Sequence, residues 1–213
     1  MKNRYISIFV GIVLAIVFTL LGVLGIAAGI EAINTVVKYD KITIDEPGVN
    51  YLCAYYKSVY FNALKEANIE ASNTPEFWAS ASPYGSMTYG EHFEGYFREY
   101  VAKITVMANA YHKSVGYTPD DKLIVAADCK EILKNEAENS VAIFNTESKK
   151  YGFNFNDFQN IAALLYKASK AEEGHLEAGE SLKSLIKNVE FRRSFKNIDL
   201  FSIPPLDKFI VCE

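Results

Sequence analysis

Glu172 and His175 stand three residues apart, the spacing by which a helical bundle offers a carboxylate and an imidazole to a di-iron centre. Such a centre needs the motif twice, and no second Glu-x-x-His occurs. The pair therefore reads as a solvated helix face, and neither a metal nor another cofactor is expected. The other two histidines, His92 and His112, are twenty residues apart on one expected helix, a rotation of about 200° that sends them to opposite sides. A phosphate-binding Gly-rich loop, a Gly-x-Ser-x-Gly elbow and an HExxH pair are all missing from the sequence. Cys53, Cys129 and Cys212 are odd in number and form no CxxC, so neither a disulfide framework nor thioredoxin-type redox chemistry is indicated. Cys53 and Cys129 fall at helical positions where a small buried thiol is the ordinary occupant. No acid, base or nucleophile has a helper at a useful spacing, and an enzyme is not expected.

What the chain has in excess is aromatic surface, with 14 Tyr, 14 Phe and one Trp. That content excludes a disordered chain, which could not keep so many large apolar groups solvated. Tyr51, Tyr55, Tyr60 and Phe61 fall on one expected helix, and Tyr89, Tyr96 and Tyr100 on the next. If they line an open groove, rings of this kind suit loosely specified capture of unfolded polypeptide, because each gives contact area at low entropy cost. The competing assignment makes them core residues with phenol tips at the surface.

The elements that must position these rings are helices. Asp45-Glu46-Pro47 opens the first, with Val49, Leu52, Cys53, Tyr56, Val59, Tyr60, Ala63 and Leu64 recurring at steps of three and four to about Ala67. Residues 68–87 read as a loop onto which Phe77 and Trp78 dock. Thr88-Tyr89-Gly90-Glu91 is a capping box, and Phe93, Tyr96, Phe97, Tyr100, Val101, Ile104, Met107, Ala108 and Tyr111 form one stripe ended by Gly116. Thr118-Pro119-Asp120-Asp121 starts a third helix running to Tyr151-Gly152. Asn154 to Asp157 restart helix, continuing with breaks at Gly174 and Gly179 toward Phe195. Val36 to Ile44 alternate loosely, as in a short strand or extended linker, within a linker of residues 31–45. Residues 197–213, with Pro204-Pro205, read as a tail after a helical peptide-binding domain of residues 46–196. The expected fold class is all-α with little or no strand.

Ile6 to Ile30 is a run of 25 residues without a charged side chain. As a helix it would reach roughly 37 Å, enough for a hydrocarbon core of roughly 30 Å. Lys2 and Arg4 before it put residues 1–5 in the cytoplasm by the positive-inside rule, with residues 6–30 as an uncleaved signal anchor and the remainder outside; a signal peptide cleaved near Gly25 to Gly29 is the alternative. The expectation is a single-pass protein of a bacterial cell membrane. Without Lys2 and Arg4 the chain carries 20 basic against 26 acidic residues, which excludes a nucleic-acid binder working through a net basic field.

The order of these features resembles the helical chaperone domain of SurA-like and PrsA-like foldases, a fold shared with the peptide-binding arms of trigger factor. The resemblance is carried by an apolar N-terminal segment, the stretch Val36 to Ile44 and the Tyr-rich first helix. It continues through Thr88 to Phe93, Ala110-Tyr111, Gly116 to Asp121, Tyr151-Gly152 with Phe155, Asp157 and Phe158, and Leu165 to Ala171, covering roughly residues 35 to 190. It implies a protein that holds unfolded or exported polypeptides, without nucleic acid, and a homodimer is compatible with it. The parvulin-type isomerase domain of such foldases has no counterpart here, so prolyl isomerase activity is not implied. The alternative is a helical ectodomain that binds one specific protein or serves as a scaffold of the cell envelope.

Overall fold

Two short alternating stretches flank Asp40-Lys41, and Asp40 takes the left-handed backbone conformation (φ 51°) that lets so short a connection reverse the chain. The structure, a computed structural model, describes residues 34–115, 140–171 and 181–206. The reversal joins strands β1 (Thr35–Tyr39) and β2 (Ile42–Asp45), and a third strand, β3 (Glu190–Phe191), pairs antiparallel on the other side of β1. Val37 faces Phe191 and Lys38 faces Glu190 across the β1–β3 ladder. Val36, Val37 and Ile44 are buried.

This sheet corrects the all-α expectation: the fold is mainly helical, with a three-stranded sheet. β3 escaped the sequence reading because it is two residues long and is specified by a partner some 150 residues away, not by local periodicity. The helix expected to run toward Phe195 instead ends at Lys170, and the described chain beyond it is a short helix, β3 and a 3-10 turn.

Helix α1 (Glu46–Glu66) starts where Asp45 accepts from the Gly48 amide at 3.1 Å and Pro47 occupies the first turn. A Cβ on Gly48 would stand 2.8 Å from Ile44 Cγ2, so the close approach of strand and helix requires glycine. Asn68 ends α1 in the left-handed conformation (φ 57°), its amide donating to Lys65 O at 3.0 Å and that of Ile69 to Leu64 O at 2.9 Å. This is a Schellman stop made with Asn. The following loop contains a helical turn, α2 (Pro75–Ala79), capped by Thr74, which inserts Trp78 into the core.

The capping box at the start of α3 (Tyr89–Val115) is present: the Glu91 amide donates to Thr88 Oγ1 at 3.2 Å and the Thr88 amide to Glu91 Oε2 at 2.8 Å. Helix α4 (Ser140–Ser148) passes through a 3-10 turn (Lys149–Tyr151) to Gly152, whose φ of 79° needs no Cβ. Asn154 and Asp157 form a second capping box opening α5 (Phe155–Lys170), which packs along α3. Helix α6 (Leu182–Ile186) follows, and β3 and a 3-10 turn (Arg193–Asn197) lead into residues 198–206. From Val36 onward the described residues share one hydrophobic core.

The segment read as a tail belongs to that core: Leu200, Ile203 and Leu206 are buried, and the Leu206 amide donates to Ala54 O at 2.9 Å.

The membrane assignment is also corrected. Among the described residues no helix is long and apolar enough to cross a membrane, and none of them carries the expected single-pass placement. The anchor expected over residues 6–30 lies outside the described residues, as do the start of the third expected helix, Gly116, Glu172, His175, Cys129 and Cys212.

Candidate functional site

The seven aromatics expected to line an open groove lie on α1 and α3, and six of them are packed in or against the core. Tyr51, Tyr60 and Tyr89 are buried in the core, Tyr55, Phe61 and Tyr100 are half-buried against it, and Tyr96 is exposed. Tyr51 meets Phe153 and Phe158 edge-on, Tyr55 and Tyr56 stack on Tyr100, and Phe61 stacks on Trp78 with centroids 5.5 Å apart. Helix periodicity places such rings on one side of a helix but does not distinguish the centre of the stripe from its rim.

At the rim three rings form a cluster that reaches solvent. Tyr84, from the loop before α3, stacks on His92 with centroids 5.2 Å apart and planes 19° apart, and Tyr96 meets His92 with centroids 4.7 Å apart and planes tilted by 55°. Tyr84 and Tyr96 are each 51% exposed, with Met87 of the same loop also exposed. His92 is fixed from beneath by Tyr60, whose hydroxyl lies 2.9 Å from its Nδ1. Burial raises the Tyr60 phenol, reinforced by the neighbouring phenols of Tyr89, Tyr84, Tyr56 and Tyr96, while burial lowers the His92 imidazolium. Both shifts favour neutral partners. The contact then joins a neutral phenol to a neutral imidazole, whose tautomer sets which of the two donates. Burial raises Tyr100 and Tyr56 as well, with Tyr55 and Tyr56 adding to the first and Tyr96 and Glu99 to the second. With their phenols raised, Tyr56, Tyr60 and Tyr100 stay protonated near neutral pH and supply contact area and hydrogen bonds.

A second constellation, centred on Lys57, lies deeper in the fold. Its Nζ donates to Leu200 O at 2.9 Å, to Phe201 O at 3.3 Å, to Asn73 Oδ1 at 2.9 Å and to Ile203 O. It also sits 5.0 Å from the Trp78 ring centre and 5.7 Å from that of Phe93. Burial lowers this ammonium to about 8, opposed by Cys53 and Asp199. Cys53 is buried beside it with Sγ 3.5 Å from Leu200 O, and burial pushes its thiol up to about 12. Both reactive groups are closed off from substrate. Peptide-resolved alkylation of the native protein at pH 8 should therefore leave Cys53 unmodified until denaturant is added. Rapid native labelling would mean that this region opens.

The Lys57 cluster was missed from sequence, although one signal was there. Cys53, Lys57, Tyr60 and Leu64 follow one helical stripe, with a charge in its middle. The carbonyls that meet that charge have no residue-type signature.

A cleft of about 420 Å³ lies between α3 and the C-terminal segment. In it Arg98 is held by Glu94 at 2.8 Å and lies 4.4 Å over the Phe195 ring, while Lys196 and Asp199 balance each other in sign. No group of three or more His, Cys, Asp or Glu among the described residues could hold a metal ion. Compared with family models, curated proteins and solved structures, the chain finds no match.

Proposed function

We propose that this chain is a polypeptide-binding module that holds one specific protein partner on the Tyr84–His92–Tyr96 face, without covalent chemistry. The observation that carries this reading is the ring cluster itself: two half-exposed tyrosines, one stacked and one tilted, on a histidine whose Nδ1 is hydrogen-bonded to Tyr60. Tyrosines are enriched at protein interfaces, and rings already held in place lose little entropy on binding. A general holder of unfolded chains would need a longer open apolar surface, whereas six of the seven aromatics are engaged with the core. The small remaining face fits a single partner.

Photo-crosslinking from positions 84 and 96 should capture a discrete partner. Titration of that purified partner should then give about tenfold or weaker binding for Tyr84→Ser/Tyr96→Ser, because interface tyrosines commonly carry 1 kcal/mol or more. Melting of the variant should change little, since exposed substitutions usually stay within about 0.5 kcal/mol. Unchanged affinity in the folded variant would sink the assignment. Suppression by the wild-type chain of the aggregation of unrelated unfolded proteins, lost in the same variant, would transfer the face to chaperone work.

A further inference from the structure

Residues 198–206 lie across one stretch of α1 and are gripped there by their backbone. The carboxylate of Asp199 accepts from the amides of Phe201 at 3.2 Å and Ser202 at 3.3 Å, curling the chain so that its carbonyls converge on Lys57 Nζ. Ser58 Oγ donates to Leu206 O at 2.9 Å, the Leu206 amide to Ala54 O at 2.9 Å, Asn73 Nδ2 to Ile203 O at 3.4 Å, and the Tyr151 hydroxyl to Pro205 O at 3.4 Å. Leu200, Ile203 and Leu206, one residue in three, are the buried side chains, while Ser202 between them is exposed.

The grip is that of a groove on a bound peptide. Side-chain donors read main-chain carbonyls, and apolar side chains at a fixed interval fill the floor. Residues 198–206 themselves contain no regular strand or helix. We propose that residues 198–206 are a displaceable internal ligand, and that the groove formed by Ala54, Lys57, Ser58, Asn73, Trp78 and Tyr151 accepts the same segment from a second copy of this chain. The commitment to a second copy follows from the occupant seen in place: the groove already fits this sequence, and every copy carries it. It is independent of the Tyr84–His92–Tyr96 face, so either can fail alone.

The probe is a fluorescent, acetylated and amidated peptide of residues 198–206, added to the full-length chain. In the wild type the tethered segment competes at an effective concentration in the millimolar range and keeps the probe out. The full-length variant Ile203→Ser/Leu206→Ser, altered only in the occupant, should bind the probe about tenfold or more tighter than wild type. At millimolar concentration the wild type should form a reciprocal dimer, each copy's segment in the other's groove, and the variant should not. Equal binding by both chains, equal binding of a scrambled peptide, or a wild type that stays monomeric at that concentration would overturn the proposal. If the variant does not fold alone, the peptide should restore its helical signal, and failure to restore it counts against the proposal in the same way. In wild type, hydrogen exchange should report opening at the Leu206 amide well before the interior amides of α1. Equal protection at both would overturn it, because the segment would then leave only when the whole fold does.

Discussion

Lys57→Met should cost about 3 kcal/mol or more of unfolding free energy at pH 7, close to the loss expected when one partner of a buried charged network is removed. Methionine fills much of the volume but leaves Phe201 O without its ammonium donor and strips Asn73 Oδ1, Leu200 O and Ile203 O of their strongest one. The pH dependence has a definite sign. Burial holds the folded ammonium near 8, below the ordinary 10.5, with Cys53 and Asp199 the titratable groups facing it. Between those values the unfolded chain keeps the proton and the native chain releases it, so the wild type gains stability relative to Lys57→Met as pH rises from about 8 toward 10.5. Urea unfolding of both proteins at pH 7 and pH 9.5 measures the cost and its drift. A cost below about 1 kcal/mol, or a difference that does not change with pH, would mean that Lys57 reaches water and does not fasten the C-terminal segment.

Three helix starts were legible because their chemistry is local. Asp45 with Pro47, Thr88 with Glu91, and Asn154 with Asp157 each place an acceptor within three residues of the amide it satisfies, and each cap forms as the spacing predicts. What was not legible depends on partners far along the chain. β3 exists because Val37 and Lys38 offer it a ladder, and residues 198–206 are core because α1 presents Lys57 and Ser58 to their carbonyls. Trp78 was expected to dock and does, on a turn of helix that Thr74 caps inside an apparent loop. The candidate site was half legible. The aromatics fall on the helices the stripes put them on, but Phe93 and Tyr96 sit in one continuous stripe and differ in which neighbours cover them. His92, half-buried and in ring contact with two tyrosines, is tied to the core through the Tyr60 hydroxyl, a contact that no spacing rule encodes.

Phe93→Ala should lower stability by about 3–5 kcal/mol, the cost of emptying a fully enclosed ring site. Phe93 is completely buried, with ring centres at 5.2 Å to Trp78, 5.4 Å to Tyr60, 5.8 Å to Phe97 and 5.9 Å to Tyr56. Tyr96 is one turn further along the same helix and of the same residue class, yet its removal should be nearly neutral, because half of its surface already meets water. The pair therefore separates core from rim by magnitude alone. Phe93 also bears on binding. Tyr60 leans on it while holding His92, so a cavity there frees Tyr60 and loosens the Tyr84–His92–Tyr96 cluster even where the chain remains folded. Chemical denaturation gives the stability loss, and affinity for the crosslinked partner under folding conditions gives the second effect. If Phe93→Ala cost less than about 1 kcal/mol, the cluster would be repacking into the space. A face resting on so yielding a floor would not be preorganised, and the entropy argument for a single partner at Tyr84 and Tyr96 would fall with it.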